Sequence, residues 1–353
     1  MSKTGVRFET DVRKVLISSN SSILDAIESL NSSALQITFA KDDAGRIVGS
    51  VTDGDIRRGL LAGYNLNSTI GSVMRRDFKA LPDTASRDMT LRAMNRFQLR
   101  RIPLLDADGR LTKLGLIDEF SITAQFSNPV FIMAGGEGRR LRPLTKSCPK
   151  PMLKIGGKPL LEIIIEQCID AGFREFYISV NYLKEQIISY FGSGESWGVS
   201  IQYIEESKPL GTVGGLSLLE SIPASNLLVL NGDVLTKVNF EELLKFHEDA
   251  KAEVTLCVRE HVVQIPFGVI EMNGTTVSSL EEKPNLTKYV SAGIYVVSPA
   301  LLQHIPHDTF FDMPQLINSA ISKELQVSAF PIHEYWLDVG HPEALAQANG
   351  DWF

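Results

Sequence analysis

Apolar runs alternate with segments of helical periodicity through the second half of the chain. Short apolar runs predict strands at residues 130–134, 175–180, 200–204, 227–231 and 254–258. Apolar positions spaced three and four apart predict helices at residues 160–171, 184–191, 213–219 and 240–249. This alternation is typical of an α/β fold, a mostly parallel sheet with helices on both faces. Ligands of such sheets bind at the carboxyl ends of the strands.

The first half contains one pattern that occurs twice. A helix following Ser22, strands at 35–39 and 46–51, and a helix at 53–63 form the first copy. The second copy begins about 64 residues later, with the elements predicted at 85–97, 101–105 and 111–117. Two copies predict an α+β module in which two similar units share one core.

A short polar segment separates the two halves. Residues 123–129, TAQFSNP, are polar and end in proline, which is typical of a domain boundary. A length of 353 residues also favours two domains. We therefore predict one domain at residues 1–125 and a second at 128–353.

Composition excludes several classes of protein. The amino terminus lacks the apolar segment of a secretory signal, and no run of about 18 apolar residues predicts a membrane span. Cys148, Cys168 and Cys257 lack CxxC spacing, which excludes a disulfide scaffold or a zinc ribbon. We expect three ordinary core cysteines, a cytoplasmic protein and no membrane partner.

Charge is distributed unevenly between the halves. Residues 1–127 hold 18 Lys or Arg and 15 Asp or Glu, a net charge of +3, whereas residues 128–353 hold 17 and 27, a net charge of −10. Within this acidic half, residues 139–158 carry seven basic side chains and no acidic one. A local cationic cluster in an acidic domain favours a small anionic ligand over nucleic acid.

The segment 49–55, GSVTDGD, joins a predicted strand to a predicted helix. It resembles the strand end of tandem CBS domains, regulatory modules that often bind adenine nucleotides, and the resemblance covers nearly all of residues 1–125. It implies that Thr52 meets a phosphate and that Asp55 accepts ribose hydroxyl bonds. The second copy has Asp118 and Ser121 at these positions, so we expect one competent site at most. The alternative is that Thr52 and Asp55 only cap a helix, in a module that dimerises.

The most specific string follows the strand predicted at 130–134. Residues 133–145 are MAGGEGRRLRPLT, and PKPM follows at 149–152. Gly135, Gly136 and Gly138 allow backbone amides to approach an anion, and Arg140 and Lys150 add positive charge. The string resembles the signature of the sugar-1-phosphate nucleotidyltransferases, which have a Rossmann-like fold, and the resemblance extends over residues 129–350.

Five further motifs support this resemblance. The loop 206–215, ESKPLGTVGG, resembles the family's base-binding loop and assigns Glu206, Gly211 and Thr212 to the nucleotide. PFG at 266–268 and EEKP at 281–284 resemble sugar-contacting elements. They assign Gly268 and Glu282 to the sugar and Lys283 to its phosphate. LNGD at 230–233 and WLDVG at 336–340 resemble the elements that provide the family's metal ligands, which implies that Asp233 and Asp338 are the ligands here.

The resemblance implies phosphoryl-group chemistry without a protein nucleophile. A sugar-1-phosphate oxygen attacks the α-phosphorus of a nucleoside triphosphate, and pyrophosphate leaves. Asp233 and Asp338 are expected to hold Mg²⁺, while Arg140, Lys150 and Lys283 neutralise phosphate charge. The alternatives are purely structural roles: Asp233 in a turn and Asp338 as a helix cap. No general base is required, because the attacking phosphate is already anionic.

Glu206 bears on the choice of nucleotide. It stands where related uridylyl- and thymidylyltransferases usually carry glutamine, and a carboxylate matches the adjacent N1–H and N2 amine of guanine. We therefore predict GTP as the nucleotide. With the LGT segment at 210–212, the second half resembles mannose-1-phosphate guanylyltransferases, and a CBS pair ahead of such a domain resembles enzymes proposed to use glucosamine-1-phosphate. These resemblances imply one of the two sugar phosphates as substrate, and we also expect a homo-oligomer. Two departures from the family pattern, Glu137 and Arg139, place unusual charges in the glycine loop. The alternatives are a uridylyl- or thymidylyltransferase, a nucleotide-sensing regulatory protein without turnover, or an active enzyme whose CBS pair only mediates oligomerisation.

Overall fold

The computed structural model describes residues 6–97, 99–117 and 125–352. The chain divides into two compact units, Met1–Thr123 and Ala124–Phe353. Asp118 and Ser121, the second-copy CBS positions, lie outside the described residues, as does the first part of the predicted linker.

The first unit is a mixture of short strands and helices. Its elements are β1 (Val6–Glu9), β2 (Leu16–Ser18), α1 (Ile23–Ser33), β3 (Thr38–Lys41), β4 (Ile47–Val51), α2 (Asp53–Leu61), β5 (Leu81–Pro82), α3 (Arg87–Phe97), β6 (Arg101–Leu105) and β7 (Leu111–Ile117). They form a four-stranded sheet of order β1-β7-β6-β5 and a three-stranded sheet of order β2-β3-β4. The duplicated α+β pattern predicted from the sequence is therefore present.

Local sequence explains most of these boundaries. Ser22 caps α1 through a capping box with Asp25, as its position before the apolar residues predicts. β3 starts at Thr38 rather than at residue 35, because Ala34 and Gln36 adopt left-handed φ angles of 54° and 53° that interrupt an extended strand.

The second unit contains the remaining strands and helices. Its strands are β8 (Val130–Met133), β9 (Lys154–Ile155), β10 (Lys158–Pro159), β11 (Glu175–Val180), β12 (Ser200–Glu205), β13 (Leu227–Asn231), β14 (Val234–Thr236), β15 (Val254–Gln264), β16 (Gly268–Asn273), β17 (Thr276–Glu282), β18 (Asn285–Val297), β19 (Val327–Pro331) and β20 (Trp336–Asp338). Its helices are α4 (Leu160–Ala171), α5 (Lys184–Phe191), α6 (Phe240–Asp249), α7 (Pro299–Leu302), α8 (Met313–Ser322) and α9 (Pro342–Asp351).

A seven-stranded sheet organises this unit in the order β12-β11-β8-β13-β18-β15-β19. The first four strands are mutually parallel, β18 is antiparallel to both of its neighbours, and β19 is parallel to β15. Val130 and Ile132 of β8 belong to one buried cluster with residues of α4 and α6, whereas Phe131 belongs to another with residues of α8. The predicted mostly parallel α/β sheet, covered on both faces, is confirmed.

One long two-stranded extension leaves the sheet. β15 and β18 remain paired to Gln264 and Asn285, and β16 and β17 then continue as a hairpin. We call residues 258–291 the ribbon. The strand predicted at 254–258 was too short, because the ribbon residues are mostly exposed and lack the buried apolar run that marks a core strand.

The helix predicted at 213–219 is wrong. This segment forms a 3₁₀ helix over Gly214–Leu218. The backbone N–H groups of Val213 and Gly214 both donate to the carbonyl of Phe311, each at 3.1 Å, which ties the segment to a neighbouring loop. Two consecutive glycines also weaken the helical propensity of the segment.

Within the described ranges, no helix has the length and apolar character needed to cross a bilayer.

Candidate functional site

Three parallel strands of the large sheet end level with one another. Met133 of β8 pairs with Ser179 of β11 on one side and with Asn231 of β13 on the other. The segments that leave these strands therefore start from one edge of the sheet. They are the glycine loop after Met133, the turn after Val180 and the Gly232–Asp233 turn. This edge is where an α/β sheet binds its ligands.

The glycine loop packs against the basic segment that follows it. Gly138 has a φ of 60°, and a Cβ there would lie 2.9 Å from Thr145 Cγ2 and 3.0 Å from Lys150 Cβ. The Thr145 hydroxyl donates to the Gly138 carbonyl at 2.9 Å. A Cβ on Gly136 would have no neighbour within 4 Å, so this part of the loop faces open space.

The unusual charges of the loop neutralise one another. Arg139 donates to both carboxylate oxygens of Glu137, at 2.7 and 3.1 Å, and Arg142 donates to the same carboxylate at 3.3 Å. These ion pairs hold the pKa of Glu137 below its usual value, first through the hydrogen bond from Arg139. The negative charge of Glu137 is therefore compensated within the loop.

Asp233 and Asp338 come together although they are far apart in sequence. Strand β14, which follows Asp233, is antiparallel to β20, and Val234 pairs with Asp338. The N–H of Val339 donates to the carbonyl of Asp233 at 2.9 Å. Burial raises the pKa of Asp338, and the nearby Asp233 charge raises it further, while Lys150 and Arg140 act in the opposite direction.

Two basic side chains face this carboxylate pair. Lys150 is buried and its ammonium group pairs with Asp233 Oδ2. A Cβ on Gly340 would lie 2.9 Å from Asp338 Oδ1 and 3.1 Å from Arg140 Nη2, so the glycine lets this arginine approach the carboxylate. The structure thus assembles four of the predicted residues in one cluster: Arg140, Lys150, Asp233 and Asp338.

The carboxylate pair has the donor set of a divalent-cation site. Oδ1 of Asp233 and Oδ1 of Asp338 are both buried without a hydrogen-bond partner. A buried, unpaired carboxylate oxygen is costly unless a cation or donor meets it. Mg²⁺ favours sites with one or two carboxylates completed by phosphate oxygens and water, and these residues fit that ion.

Glu206 lies buried beside the glycine loop. Its Oε1 accepts the hydroxyl hydrogen of Ser179, and its Oε2 accepts the N–H of Leu210 at 3.0 Å. A Cβ on Gly135 would be 3.7 Å from Oε1. The structure therefore brings together Glu206 and Gly135, two residues that the resemblance assigns to the nucleotide. It also adds Ser179, which the motif comparison missed. The available signal was a small polar residue between two buried apolar residues, Ile178 and Val180.

Gly211 and Thr212 face a different neighbour. The Thr212 N–H and hydroxyl both lie within hydrogen-bond distance of Asp312 Oδ1, at 2.9 and 3.2 Å, and the hydroxyl accepts the N–H of Met313 at 2.6 Å. A Cβ on Gly211, whose φ is 79°, would lie 2.7 Å from the same Asp312 oxygen. These contacts anchor the loop to the start of α8. Nucleotide binding by Gly211 and Thr212 stays a prediction.

The predicted sugar-binding residues lie on the ribbon. Gly268 and Glu282 are cross-strand partners, and the N–H of Lys283 donates to the carbonyl of Phe267 at 3.3 Å. Lys283 has a left-handed φ of 49°, a strained conformation for a lysine. No hydrogen bond or ion pair of the described residues joins this group to the cluster at the sheet edge, so their role in sugar binding stays a prediction.

The predicted CBS residues form a helix cap. The Thr52 N–H and hydroxyl both donate to Asp55 Oδ2, at 2.9 and 2.6 Å, at the start of α2. Asp55 is 3% exposed, and its Oδ1 accepts from Arg58 at 2.5 Å and Arg75 at 2.9 Å. The capping alternative describes these contacts, and nucleotide binding at this position stays a prediction.

Comparison with known proteins identifies relatives of both halves of the chain. The family model for nucleotidyl transferases matches residues 130–352, and the CBS domain model matches residues 10–62 and 70–123. Mannose-1-phosphate guanylyltransferase catalytic subunit beta of Danio rerio is 32% identical over 228 residues, which are 60% of this chain and 61% of that protein. Mannose-1-phosphate guanyltransferase of Yarrowia lipolytica is 34% identical over 228 residues, 60% of each chain. The chain thus spans about 60% of the length of these relatives.

Solved structures share the fold of the second unit. HddC from Yersinia pseudotuberculosis is 26% identical with a TM-score of 0.52, covering 64% of this chain and all of that one. A second structure of HddC, in complex with GMP-PN, matches this chain with a TM-score of 0.51. A putative glucose-1-phosphate thymidylyltransferase from Bacillus anthracis, 22% identical with a TM-score of 0.52, covers 63% of this chain and 94% of its own. The chain belongs to the nucleotidyl transferase family and carries a tandem pair of CBS domains ahead of the transferase fold.

Proposed function

We propose that the protein is a sugar-1-phosphate guanylyltransferase, which converts GTP and a hexose-1-phosphate to a GDP-sugar and pyrophosphate. The observation that carries the proposal is the cluster of Arg140, Lys150, Asp233 and Asp338 beside the glycine loop, at the sheet edge where α/β folds bind ligands. Both curated relatives described above are mannose-1-phosphate guanylyltransferases by name, which supports the same reaction class.

The residues of the cluster suit an in-line displacement between two anions. The open glycine loop offers backbone N–H groups to the triphosphate. Arg140 and Lys150 neutralise charge on the α-phosphate and on the departing pyrophosphate. Because the attacking phosphate oxygen is already anionic, positioning and charge neutralisation provide most of the rate acceleration, and no general base is needed.

Asp233 and Asp338 would hold Mg²⁺ through their unpaired oxygens. When bound, the cation supplies further neutralisation of phosphate charge and helps align the reacting groups. Before that, Lys150 compensates Asp233 directly, and Arg140 lies near Asp338. The chain's own cations therefore keep two close carboxylates from repelling one another.

Glu206 supports guanine as the base. A carboxylate accepts the N1–H and N2 amine of guanine together, whereas uracil and thymine present an acceptor beside their N3–H. HddC, solved in complex with GMP-PN, has a ligand whose base is guanine. Uridylyl or thymidylyl transfer is the alternative, and turnover with UTP or dTTP but not with GTP would support it.

Mannose-1-phosphate is the sugar phosphate that the relatives favour, and glucosamine-1-phosphate is the one that the fused CBS pair favours. Gly268, Glu282 and Lys283 are proposed to contact the sugar and its phosphate from the ribbon. We further propose a cytoplasmic homo-oligomer in which the CBS pair binds an adenine nucleotide and modulates turnover. A CBS pair that only mediates oligomerisation would bind no nucleotide.

Pyrophosphate release tests the proposal. The full-length protein is assayed with Mg²⁺ and each of GTP, ATP, UTP, dTTP and CTP against mannose-, glucosamine-, N-acetylglucosamine- and glucose-1-phosphate. The proposal predicts turnover with GTP and one of the first two sugars. We expect Asp233→Ala to abolish that turnover. Release only with pyrimidine nucleotides would overturn the guanine assignment. If no combination releases pyrophosphate, even with AMP or ATP added as a CBS ligand, the result would favour a regulatory protein without turnover.

A further inference from the structure

Glu206, a residue of the base-binding motif, forms a buried hydroxyl–carboxylate pair with Ser179, which lies outside every motif. Ser179 is 2% exposed and Glu206 is 9% exposed. The hydroxyl donates to Oε1, and the N–H of Leu210 donates to Oε2 at 3.0 Å. Each carboxylate oxygen therefore has one neutral donor, and together the two donors fix the plane in which the carboxylate lies.

The backbone of Glu206 is held equally firmly. Its N–H donates to the carbonyl of Val180 at 2.9 Å, and its carbonyl accepts from Asn181 Nδ2 at 2.7 Å. Both partners follow Ser179 directly in the chain. One short segment at the end of β11 thus positions the main chain and the side chain of Glu206.

We propose that Ser179 is a positioning residue for nucleotide selection, which acts by aiming the Glu206 carboxylate at the base. This inference rests on the proposed guanylyltransferase function. A carboxylate has about four acceptor sites, and the two protein donors occupy one on each oxygen. One site per oxygen remains, side by side, and this matches the adjacent N1–H and N2 amine of guanine.

Space and charge around Glu206 agree with this role. A Cβ on Gly215 would lie 3.0 Å from Oε1 and one on Gly135 would lie 3.7 Å from it, so two glycines keep side chains away from this oxygen. Within the described ranges of the chain, Glu206 has no ion-pair partner. Because no lysine or arginine of the described residues pairs with this carboxylate, its negative charge is available to strengthen hydrogen bonds from a ligand.

Steady-state kinetics of Ser179→Ala with GTP and ITP test the proposal. ITP keeps the N1–H of guanine and lacks the 2-amine, so it makes only one of the two bonds. In the wild type we expect ITP to have a kcat/KM about tenfold lower than GTP. In Ser179→Ala the carboxylate can rotate and lose one bond to the base. The KM for GTP should then rise about tenfold with kcat within about twofold, and the preference for GTP over ITP should largely disappear.

A matched control separates positioning from loss of stability. Ser298 is also buried, and its hydroxyl donates to the carboxylate of Glu253. It follows Val297, which pairs with the first residue of β13, so it lies at the opposite edge of the sheet. Ser298→Ala should lower thermal stability without changing the KM for GTP or the GTP to ITP ratio. Ser179→Cys, which keeps the volume with a weak donor, should behave like Ser179→Ala.

The outcomes distinguish this inference from the proposed function. No turnover with any nucleoside triphosphate in the wild type would overturn the proposed function itself. Turnover with GTP together with an unchanged KM and GTP to ITP ratio in both Ser179 variants would overturn the role of Ser179 alone. Equal use of GTP and ITP by the wild type would also overturn it, because Glu206 would then make no bond to the 2-amine of guanine.

Discussion

Replacing Gly232 by alanine should displace Asp233 without removing any charged group from the site. Gly232 joins β13 to Asp233, and its N–H donates to the carbonyl of Met133 at 2.9 Å. A Cβ there would lie 2.6 Å from the Met133 carbonyl oxygen, 3.3 Å from its carbon and 3.4 Å from Ala134 Cα. All three are backbone atoms of β8 and of the start of the glycine loop, so a change of rotamer cannot relieve the contact.

The size of the displacement follows from these distances. Ordinary contact to a Cβ begins at 3.4 Å, so the 2.6 Å approach requires β13 and β8 to separate locally by about 0.8 Å. Forcing a methyl group into a packed backbone typically costs about 1–3 kcal/mol. A shift of about 1 Å in a reacting group lowers rates about a hundredfold. We therefore expect kcat/KM to fall by that order.

Pyrophosphate release measures the expected loss of kcat/KM, and thermal unfolding measures the expected loss of stability. A loss of stability of this size lowers the melting temperature by about 2–4 °C per kcal/mol in a domain of this length. Gly350→Ala is the matched control, because a Cβ there, in α9, has no neighbour within 4 Å. That variant should keep its activity and gain up to about 1 kcal/mol of stability. Activity of Gly232→Ala within about threefold of the wild type would refute the argument that its close approach positions Asp233.

Three further predictions concern the metal, the nucleotide and acid stability. Asp233→Asn and Asp338→Asn should each weaken Mn²⁺ or Mg²⁺ binding in calorimetry at least about tenfold and abolish turnover, and undiminished metal binding would contradict the assignment. Gly136→Ala should leave the melting temperature unchanged, because a Cβ meets no protein atom, yet raise the KM for GTP; an unchanged KM would place the nucleotide elsewhere. Burial lowers the pKa of His247 from 6.5 to about 4. Between about pH 6.5 and pH 4, His247 is therefore protonated in the unfolded chain and neutral in the folded protein. The free energy of unfolding should fall by up to about 3 kcal/mol as the pH is lowered through this range. In urea titrations His247→Gln should show less of this acid loss, and an identical loss would exclude His247 as its source.

Local periodicity was sufficient to predict the core of the second unit. The helices predicted at 160–171, 184–191 and 240–249 and the strands at 175–180 and 227–231 have the predicted bounds. These elements are amphipathic helices or mostly buried strands, whose spacing of apolar residues is set by the period of the element itself. The ribbon could not be predicted in this way, because its exposed strands carry no buried run.

The motifs likewise identified residue types without their arrangement. Arg140, Lys150, Asp233 and Asp338 were all predicted from their strings, and the same strings assigned Thr212 to the nucleotide. In the folded chain Thr212 bonds to Asp312 and to the N–H of Met313, at the start of α8, and the strings do not indicate these contacts. A motif specifies that a hydroxyl is present, but only the packing of distant segments decides which partner it meets.

By itself, the sequence determined the fold class, the duplicated first unit, the family and most of the charged residues of the candidate site. Tertiary structure alone decided that Asp338 lies beside Asp233, through the pairing of Val234 with Asp338 in β14 and β20. It likewise decided that Ser179 holds Glu206. The physical reason is range. Periodicity and caps depend on neighbours within a few residues, whereas both of these contacts arise from strand register and loop packing between segments far apart in the chain.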